Sequence, residues 1–181
     1  MTRNKYDEPA WHHDNPYLDA LFENDEDQAQ IAASQHIAFY FAWAVLRDLA
    51  SPPKEPSETA GDRQRLFDRR MTPGAYYSWT GHDKFGDWDL NAEGASFTEA
   101  HYRRYLEAYS AVFVEQSKAV DAPRSRSKLD WRMKKKLPPR RFGGGRKRYA
   151  SMYAVEDSWR NFEVVSAILD RWLHDWRTKE D

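Results

Sequence analysis

Two histidines and an aspartate near the start of the chain could carry acid–base or ligand chemistry. Asp7 precedes the triplet 12–14 (His-His-Asp), and His36 lies at the head of an apolar run. Imidazole exchanges protons near neutral pH and is a common metal ligand. Asp7, His12 and His36 therefore form a candidate polar site if the N-terminal arm folds onto the helix that carries His36. The alternative is that these are core residues whose hydrogen bonds are satisfied.

A second group of polar residues lies in the turn-rich stretch 81–94. Its members are Asp83, Asp87, Asp89, Asn91 and Glu93. Three of them alternate as in the first half of a calcium loop, but Ala92 stands where that loop needs Gly and Thr98 where it needs Glu. Helix caps and turn hydrogen bonds account for this group more simply. The sequence therefore predicts no metal, no cofactor and no catalytic residue.

The strongest charge feature is the basic segment, residues 118–148. From residue 124 to residue 148, twelve Lys or Arg face one acid, which gives +11, so the rest of this chain of net charge −1 carries −12. Such separation marks two surfaces with different roles. The candidate partner-binding residues are its cations and two of its aromatic residues: Arg124, Arg126, Lys128, Trp131, Arg132, Lys134, Lys135, Lys136, Arg140, Arg141, Phe142, Arg146, Lys147 and Arg148.

Three interpretations of the basic segment stay open. Cations contact phosphates and aromatic rings stack on bases, which indicates nucleic acid. The same charges also fit an acidic protein surface, and we favour an acidic, toxin-like protein partner. The third interpretation is a solvated loop that balances the acidic body of the chain. The glycines at 143–145 do not indicate a phosphate loop, because no Gly-Lys-Ser/Thr follows them.

The scaffold that positions these residues is predicted to be mainly α. Residues 37–46 carry no charge and place alanines between large aromatic residues, which indicates a helix that is buried on all sides. We expect this helix from about Asp25 to Leu49, and further helices over 63–70, from near Ser96, and after Asp157. The predicted fold is a compact bundle of about four helices around the buried central helix. Minor strand content is expected near 75–79 and 149–155, and an α+β arrangement is the alternative.

Composition limits the class of protein further. The chain has 181 residues, enough for a single domain over 1–181, with 118–148 as a basic, partly flexible insertion within it. It has no cysteine, which excludes disulfides and thiolate zinc sites. Its first 27 residues are polar and acidic, unlike a signal peptide, and its longest apolar run is about half of a membrane span. We expect a soluble cytoplasmic protein with no membrane partner.

Short patterns along the chain also carry a family resemblance. They are Tyr6-Asp7 followed by Trp11-His12; His36-Ile37 with Phe39 and Trp43-Ala44; Arg70-Met71-Thr72-Pro73; Lys84-Phe85; Leu90-Asn91 with Glu93-Gly94; and Asp157-Ser158-Trp159 with Asn161-Phe162, closed by Asp170 and Trp176. Together they span most of 5–113 and 150–176. The chain thus resembles an uncharacterised family of small bacterial cytoplasmic proteins, a domain of unknown function. The resemblance implies a single compact domain and an immunity-type role, and the basic segment looks longer than the family usually carries.

These observations predict a non-enzymatic protein-binding protein, and specifically an immunity protein that neutralises a bacterial toxin by occlusion. Charge complementarity would speed the encounter, and buried aromatic side chains would slow release. Nucleic-acid binding through residues 124–148 is the alternative. A hydrolase or nuclease that uses the histidine or aspartate groups is the third hypothesis.

Overall fold

The computed structural model describes residues 3–12, 15, 18, 25–52, 56–80, 84–114 and 151–180. These ranges contain five α-helices: α1 (Glu26–Leu46), α2 (Pro56–Phe67), α3 (Pro73–Trp79), α4 (Ala92–Phe113) and α5 (Trp159–Glu180). Strands β1 (Lys5–Asp7) and β2 (Phe85–Gly86) form an antiparallel pair, with Asp7 opposite Phe85. Short 3-10 turns occur at Pro9–His12, Asp87–Asp89 and Met152–Ala154. The predicted class, mainly α with minor strand content, is confirmed.

Helix α1 is the central helix that the apolar run predicts. Every residue from Ala33 to Val45 is buried, because α3, α4, α5 and the N-terminal arm pack around it. Asp25 caps the helix by accepting a hydrogen bond from the backbone N–H of Gln28 at 3.0 Å. The helix ends at Leu46, earlier than predicted, and Asp48 then takes a left-handed conformation with φ of 59°.

One face of α1 carries polar side-chain tips although the helix is buried. Residues 36, 40, 43 and 47 share this face, since positions three and four apart are neighbours on a helix. Tyr40 Oη donates to Thr98 Oγ1 of α4 at 3.0 Å, and Trp43 Nε1 donates to Asp170 Oδ1 of α5 at 2.9 Å. Arg47 donates to both oxygens of Asp170, at 2.7 and 2.6 Å. These bonds fix α4 and α5 against the central helix.

A close contact also holds α4 against the end of α1. A Cβ at Gly94 would lie 2.2 Å from the carbonyl oxygen of Leu49, so only glycine fits there without a shift. The same carbonyl accepts the backbone N–H of Asn91 at 2.9 Å. Asn91 also caps α4, accepting from the N–H of Gly94 at 2.8 Å. The helix therefore begins at Ala92, four residues before the predicted cap at Ser96.

Three other secondary-structure predictions were wrong, one in a helix start and two in the type of element. Helix α2 begins at Pro56 within a stretch predicted as a linker, because proline is favoured in the first turn of a helix. Residues 75–79, predicted as a strand or packed loop, belong to α3, because Thr72 caps that helix and Pro73 occupies its first turn. Of the strand predicted over 149–155, the described part forms the 3-10 turn Met152–Ala154.

Asp157 caps α3 rather than the helix that follows it. Its carboxylate accepts the backbone N–H groups of Gly74 at 2.9 Å and Ala75 at 3.2 Å, and also the hydroxyl of Thr72. Gly74 makes room for this contact, because a Cβ there would lie 2.6 Å from Asp157 Oδ2. The first turn of α5 is held instead by the hydroxyl of Ser158. A carboxylate that follows the basic segment in the chain thus neutralises the positive end of α3.

The last helix packs into the core. Trp172 is buried, and Trp176 packs edge-on against Phe97 with 5.7 Å between the ring centroids. Both tryptophans therefore stabilise the bundle. Among the described ranges, no helix combines the length and apolar character needed to cross a membrane.

We predict that Asp157→Ala lowers the free energy of unfolding by about 1–3 kcal/mol, because it leaves the part-buried backbone N–H of Gly74 without its acceptor. Asp175→Ala is the matched control, since Asp175 is exposed on α5 and such a change costs less than about 0.5 kcal/mol. Urea unfolding followed by circular dichroism measures both. Equal stability of the two variants would contradict the capping role.

Buried tyrosines give the core a second, pH-dependent property. Burial raises the pKa of the phenols of Tyr40, Tyr102 and Tyr105 above the usual value near 10. A phenol whose pKa is higher in the folded chain adds stability that is fully present below pH 10 and is lost as the pH rises further. The unfolded chain releases those protons first, so alkali favours unfolding.

We therefore expect the free energy of unfolding to fall above pH 10, and each tyrosine whose pKa is raised contributes up to about 1.4 kcal/mol per pH unit. Urea titrations between pH 8 and 11.5 measure this slope. Tyr40→Phe should make it shallower by up to about 1.4 kcal/mol per pH unit, because one titrating group is lost. A stability that stays flat to pH 11 in the unmodified protein would refute the prediction.

Candidate functional site

The structure brings Asp7, His12 and His36 together around one carboxylate. His12 Nε2 lies 3.0 Å from Asp7 Oδ1, and His36 Nε2 lies 3.0 Å from Asp7 Oδ2. The backbone N–H of Glu8 donates to Oδ1 at 2.8 Å, and Tyr102 Oη donates to Oδ2 at 2.9 Å. Both carboxylate oxygens therefore have two partners each within the described residues. The N-terminal arm does fold onto the central helix, as this candidate site requires.

Four separate elements position these side chains. Asp7 is the last residue of β1, which pairs with β2. The 3-10 turn Pro9–His12 then reverses the chain and returns His12 to the carboxylate of Asp7. His36 comes from the buried part of α1, and Tyr102 from the core-facing side of α4. The cluster thus joins the start of the chain to the two helices at the centre of the fold.

The charge state of the cluster follows from its burial. Burial alone would raise the pKa of the Asp7 carboxyl, but the hydrogen bonds from His12 and His36 outweigh it and hold that pKa well below its usual range. Burial lowers the pKa of His36, against the opposing effect of Asp7. At neutral pH the cluster therefore contains a carboxylate and a neutral His36. Because a carboxylate only accepts, the Nε2 atoms of both histidines carry protons.

The Nδ1 atoms of His12 and His36 have different hydrogen-bond surroundings. His12 Nδ1 lies 2.9 Å from Tyr153 Oη, and in the neutral ring this nitrogen accepts the tyrosine proton. Burial raises the pKa of the Tyr153 phenol, which keeps it protonated as a donor. His36 Nδ1 is buried and has no hydrogen-bond partner among the described residues. The His36 side chain is fully buried, whereas that of His12 is 18% exposed, so solvent reaches the cluster from the His12 side.

Two members of the cluster were missed by sequence reasoning. Tyr102 was predicted only as part of the helix that starts near Ser96, and Tyr153 only as part of a strand. A buried tyrosine hydroxyl usually needs a polar partner, and that requirement was the one signal available. This requirement does not identify the partner, because Tyr102 and Tyr153 lie far along the chain from Asp7 and His12.

The other predicted site residues either lie outside the described residues or make structural hydrogen bonds and ion pairs. Asp83 and the whole basic segment, Arg124 to Arg148, lie outside the described residues. In the acidic group, Asp87 accepts the backbone N–H of Asn4, and Asp89 accepts that of Gly86, both at 3.0 Å. Glu93 pairs with Arg177 at 2.6 Å, and Asn91 caps α4. These contacts are the caps and turn hydrogen bonds that the sequence favoured over a calcium loop.

The arrangement limits the chemistry of the cluster. Tyr153, His12 and Asp7 form a linear hydrogen-bonded series, the order in which a hydroxyl nucleophile is activated. Burial raises the pKa of the Tyr153 phenol and keeps it un-ionised, and the other contacts of Asp7 are with buried groups of the protein itself. Two imidazoles and one carboxylate are, however, a ligand set that a divalent transition metal accepts. The geometry thus favours binding and structural roles over covalent catalysis.

Fold and site together define a mainly helical domain with a buried polar cluster where the N-terminal arm meets the central helix. The chain belongs to the family described as Domain of unknown function (DUF7832), whose model matches residues 5–121. Asp7, His12, His36 and Tyr102 lie inside this match, and the patterns from Asp157 to Trp176 lie beyond it. Searches of curated proteins and of solved structures found no match. The resemblance is therefore confirmed as far as a domain of unknown function.

We predict that Asp7→Asn lowers the free energy of unfolding by at least about 2 kcal/mol. Asparagine keeps the shape of the side chain, but its NH2 group would face two buried donors in place of an acceptor. Asp25→Asn is the matched control, because asparagine caps a helix as well as aspartate does, and it should change stability by less than about 0.5 kcal/mol. Thermal and urea unfolding measure both, and equal losses would contradict the central role of Asp7.

Proposed function

We propose that this protein is a non-enzymatic binding protein of the bacterial cytoplasm that neutralises a protein toxin by covering its functional surface. The observation that carries the proposal is the charge separation, +11 over residues 124–148 against −12 in the rest of the chain. A basic segment of this charge favours a partner that presents an acidic surface. The family resemblance supports the immunity-type role.

The polar cluster supports a binding role in a different way. The Asp7 carboxylate is engaged by internal donors on both oxygens, and the Tyr153 phenol has a raised pKa. Such groups are held in place rather than presented to a substrate. The cluster therefore provides a rigid base for the N-terminal arm, and this rigidity reduces the entropy lost when a partner binds.

Two exposed tryptophans in the described part of the chain offer anchors for a partner. Trp79, at the end of α3, is 72% exposed, and Trp11, in the N-terminal arm, is 55% exposed. Tryptophan is enriched among residues that carry most of the energy of protein interfaces. In the proposed mechanism, charge attraction brings the partner close and aromatic burial then slows its release.

The experiment is a growth assay with the product of the adjacent gene as the toxin. We expect co-expression of this protein to relieve toxicity, and the triple variant Lys134→Glu, Lys135→Glu, Lys136→Glu to lose that protection. The matched control is Arg65→Glu, Arg70→Glu, Arg103→Glu, which makes the same charge change at exposed described positions. Absence of protection by the unmodified protein, or equal protection by both variants, would overturn the proposal.

Nucleic-acid binding is the second candidate, and Trp131 and Phe142 among the cations favour it, because aromatic rings stack on bases. Fluorescence anisotropy with a single-stranded DNA and an RNA oligonucleotide separates the two candidates. With six to ten phosphate contacts, affinity would fall by about 10³–10⁵ between 50 and 200 mM salt. Absence of binding at 50 mM salt removes this candidate, whereas tight, salt-dependent binding removes the toxin-binding proposal.

A further inference from the structure

The atoms around Asp7 are spaced as ligands of one metal ion would be. One carboxylate oxygen of Asp7 and a ring nitrogen each from His12 and His36 lie within 4.8 Å of one another. Two ligand atoms bonded to one ion at about 2.1 Å stand about 3.4 Å apart at the tetrahedral angle that zinc prefers. The Nε2 atom of His12 lies 3.0 Å from Asp7 Oδ1 and that of His36 lies 3.0 Å from Asp7 Oδ2, so a movement of about 0.4 Å opens each pair to this spacing.

From this geometry we propose that Asp7, His12 and His36 bind a divalent transition-metal ion of the Zn²⁺ type. Two imidazoles and one carboxylate form a mixed nitrogen and oxygen set, which favours such ions over Mg²⁺ or Ca²⁺, whose ligands are all oxygen. The ion takes the place of the two imidazole protons that now face Asp7. This departs from the sequence-based expectation of no metal, because the folded arm brings the two imidazoles and the carboxylate within ligand distance of one another.

The surrounding hydrogen bonds are those that metal ligands have. A ligating carboxylate is itself hydrogen-bonded, and Asp7 accepts from Tyr102 Oη and from the backbone N–H of Glu8. A ligating histidine donates its other N–H to an oxygen. His12 Nδ1 lies 2.9 Å from Tyr153 Oη, so when the proton of His12 moves from Nε2 to Nδ1 this hydrogen bond reverses direction and the phenol oxygen accepts it. These partners orient the ligands before an ion arrives.

His36 can also move its proton from Nε2 to Nδ1 without displacing a hydrogen-bond partner of Nδ1. Metal binding at Nε2 requires a neutral histidine to carry its proton on Nδ1 instead. His36 Nδ1 has no hydrogen-bond partner among the described residues, so the proton arrives there without displacing one. The proton leaves Nε2 and enters Nδ1 of the same ring, so the neutral imidazole keeps its charge.

The partial exposure of His12 gives the ion a path and leaves room for a water ligand. Asp7 and His36 are sealed inside the fold, whereas the His12 side chain is 18% exposed. Three protein ligands leave at least one coordination position for water, and that position faces the His12 side. A bound ion would join the N-terminal arm to α1 and stabilise the folded state over the unfolded one.

The test is a zinc titration by isothermal calorimetry on untagged, full-length protein freed of metal with EDTA. We expect one Zn²⁺ per chain, and His12→Gln should weaken its binding at least about 100-fold, the upper end of the cost of losing an outer hydrogen-bond partner. Glutamine keeps an N–H donor for Asp7, so the fold is retained. His174→Gln makes the same change at an exposed position of α5 and should leave binding unchanged. No zinc binding by the unmodified protein, or equal affinity in both variants, would overturn the proposal.

A second measurement needs no variant. Diethylpyrocarbonate acylates accessible imidazoles, and mass spectrometry reports the rate at each histidine. Zn²⁺ should slow the modification of His12 at least tenfold and leave His174 unaffected. Equal rates at His12 with and without the ion would refute the site.

Discussion

A helix buried on all sides must find internal acceptors for the polar donors that it carries. Leaving a buried donor unpaired costs about 1–3 kcal/mol, and α1 brings several such donors into the core. His36, Tyr40 and Trp43 meet this demand with acceptors on the N-terminal arm, α4 and α5 respectively. The positions of those elements are therefore set by polar contacts as well as by apolar packing. Aromatic rings fill the space between these contacts.

Three carboxylates play the same physical part at different places. Asp7 accepts donors from α1 and α4, Asp170 accepts from the side chains of Trp43 and Arg47, and Asp157 accepts the free N–H groups of α3. Asp157 and Asp170 lie far along the chain from these donors, and Asp7 joins the donors of α1 and α4 to nearby ones from Glu8 and His12. Each carboxylate also replaces the water that its donors lose on burial, which offsets the cost of removing a charge from solvent. Charge buried with enough donors specifies one arrangement, because any other register would leave those donors unpaired.

Sequence reasoning succeeded where the signal was local. The charge-free run at 37–46 predicted the buried helix, and the imidazoles beside Asp7 predicted a polar site that depends on folding of the arm. It failed where a distant contact overrides a local rule. Asp157 precedes α5 and so was predicted to cap it, but its carboxylate reaches back to Gly74 and Ala75. The partners Tyr102 and Tyr153 could not be predicted, because one helical stripe contains several tyrosines and nothing local selects among them.

The wide separation of the Asp7 contacts also has a consequence for synthesis on the ribosome. Asp7 emerges among the first residues, yet its cluster includes His36, Tyr102 and, through His12, Tyr153. Until about 150 residues have been made, the nascent chain therefore carries an Asp7 carboxylate that lacks some of its hydrogen-bond donors and an apolar helix α1 that is not fully buried. Vectorial folding of this domain cannot finish helix by helix, and chaperones that bind exposed apolar helices would act on α1 throughout that interval.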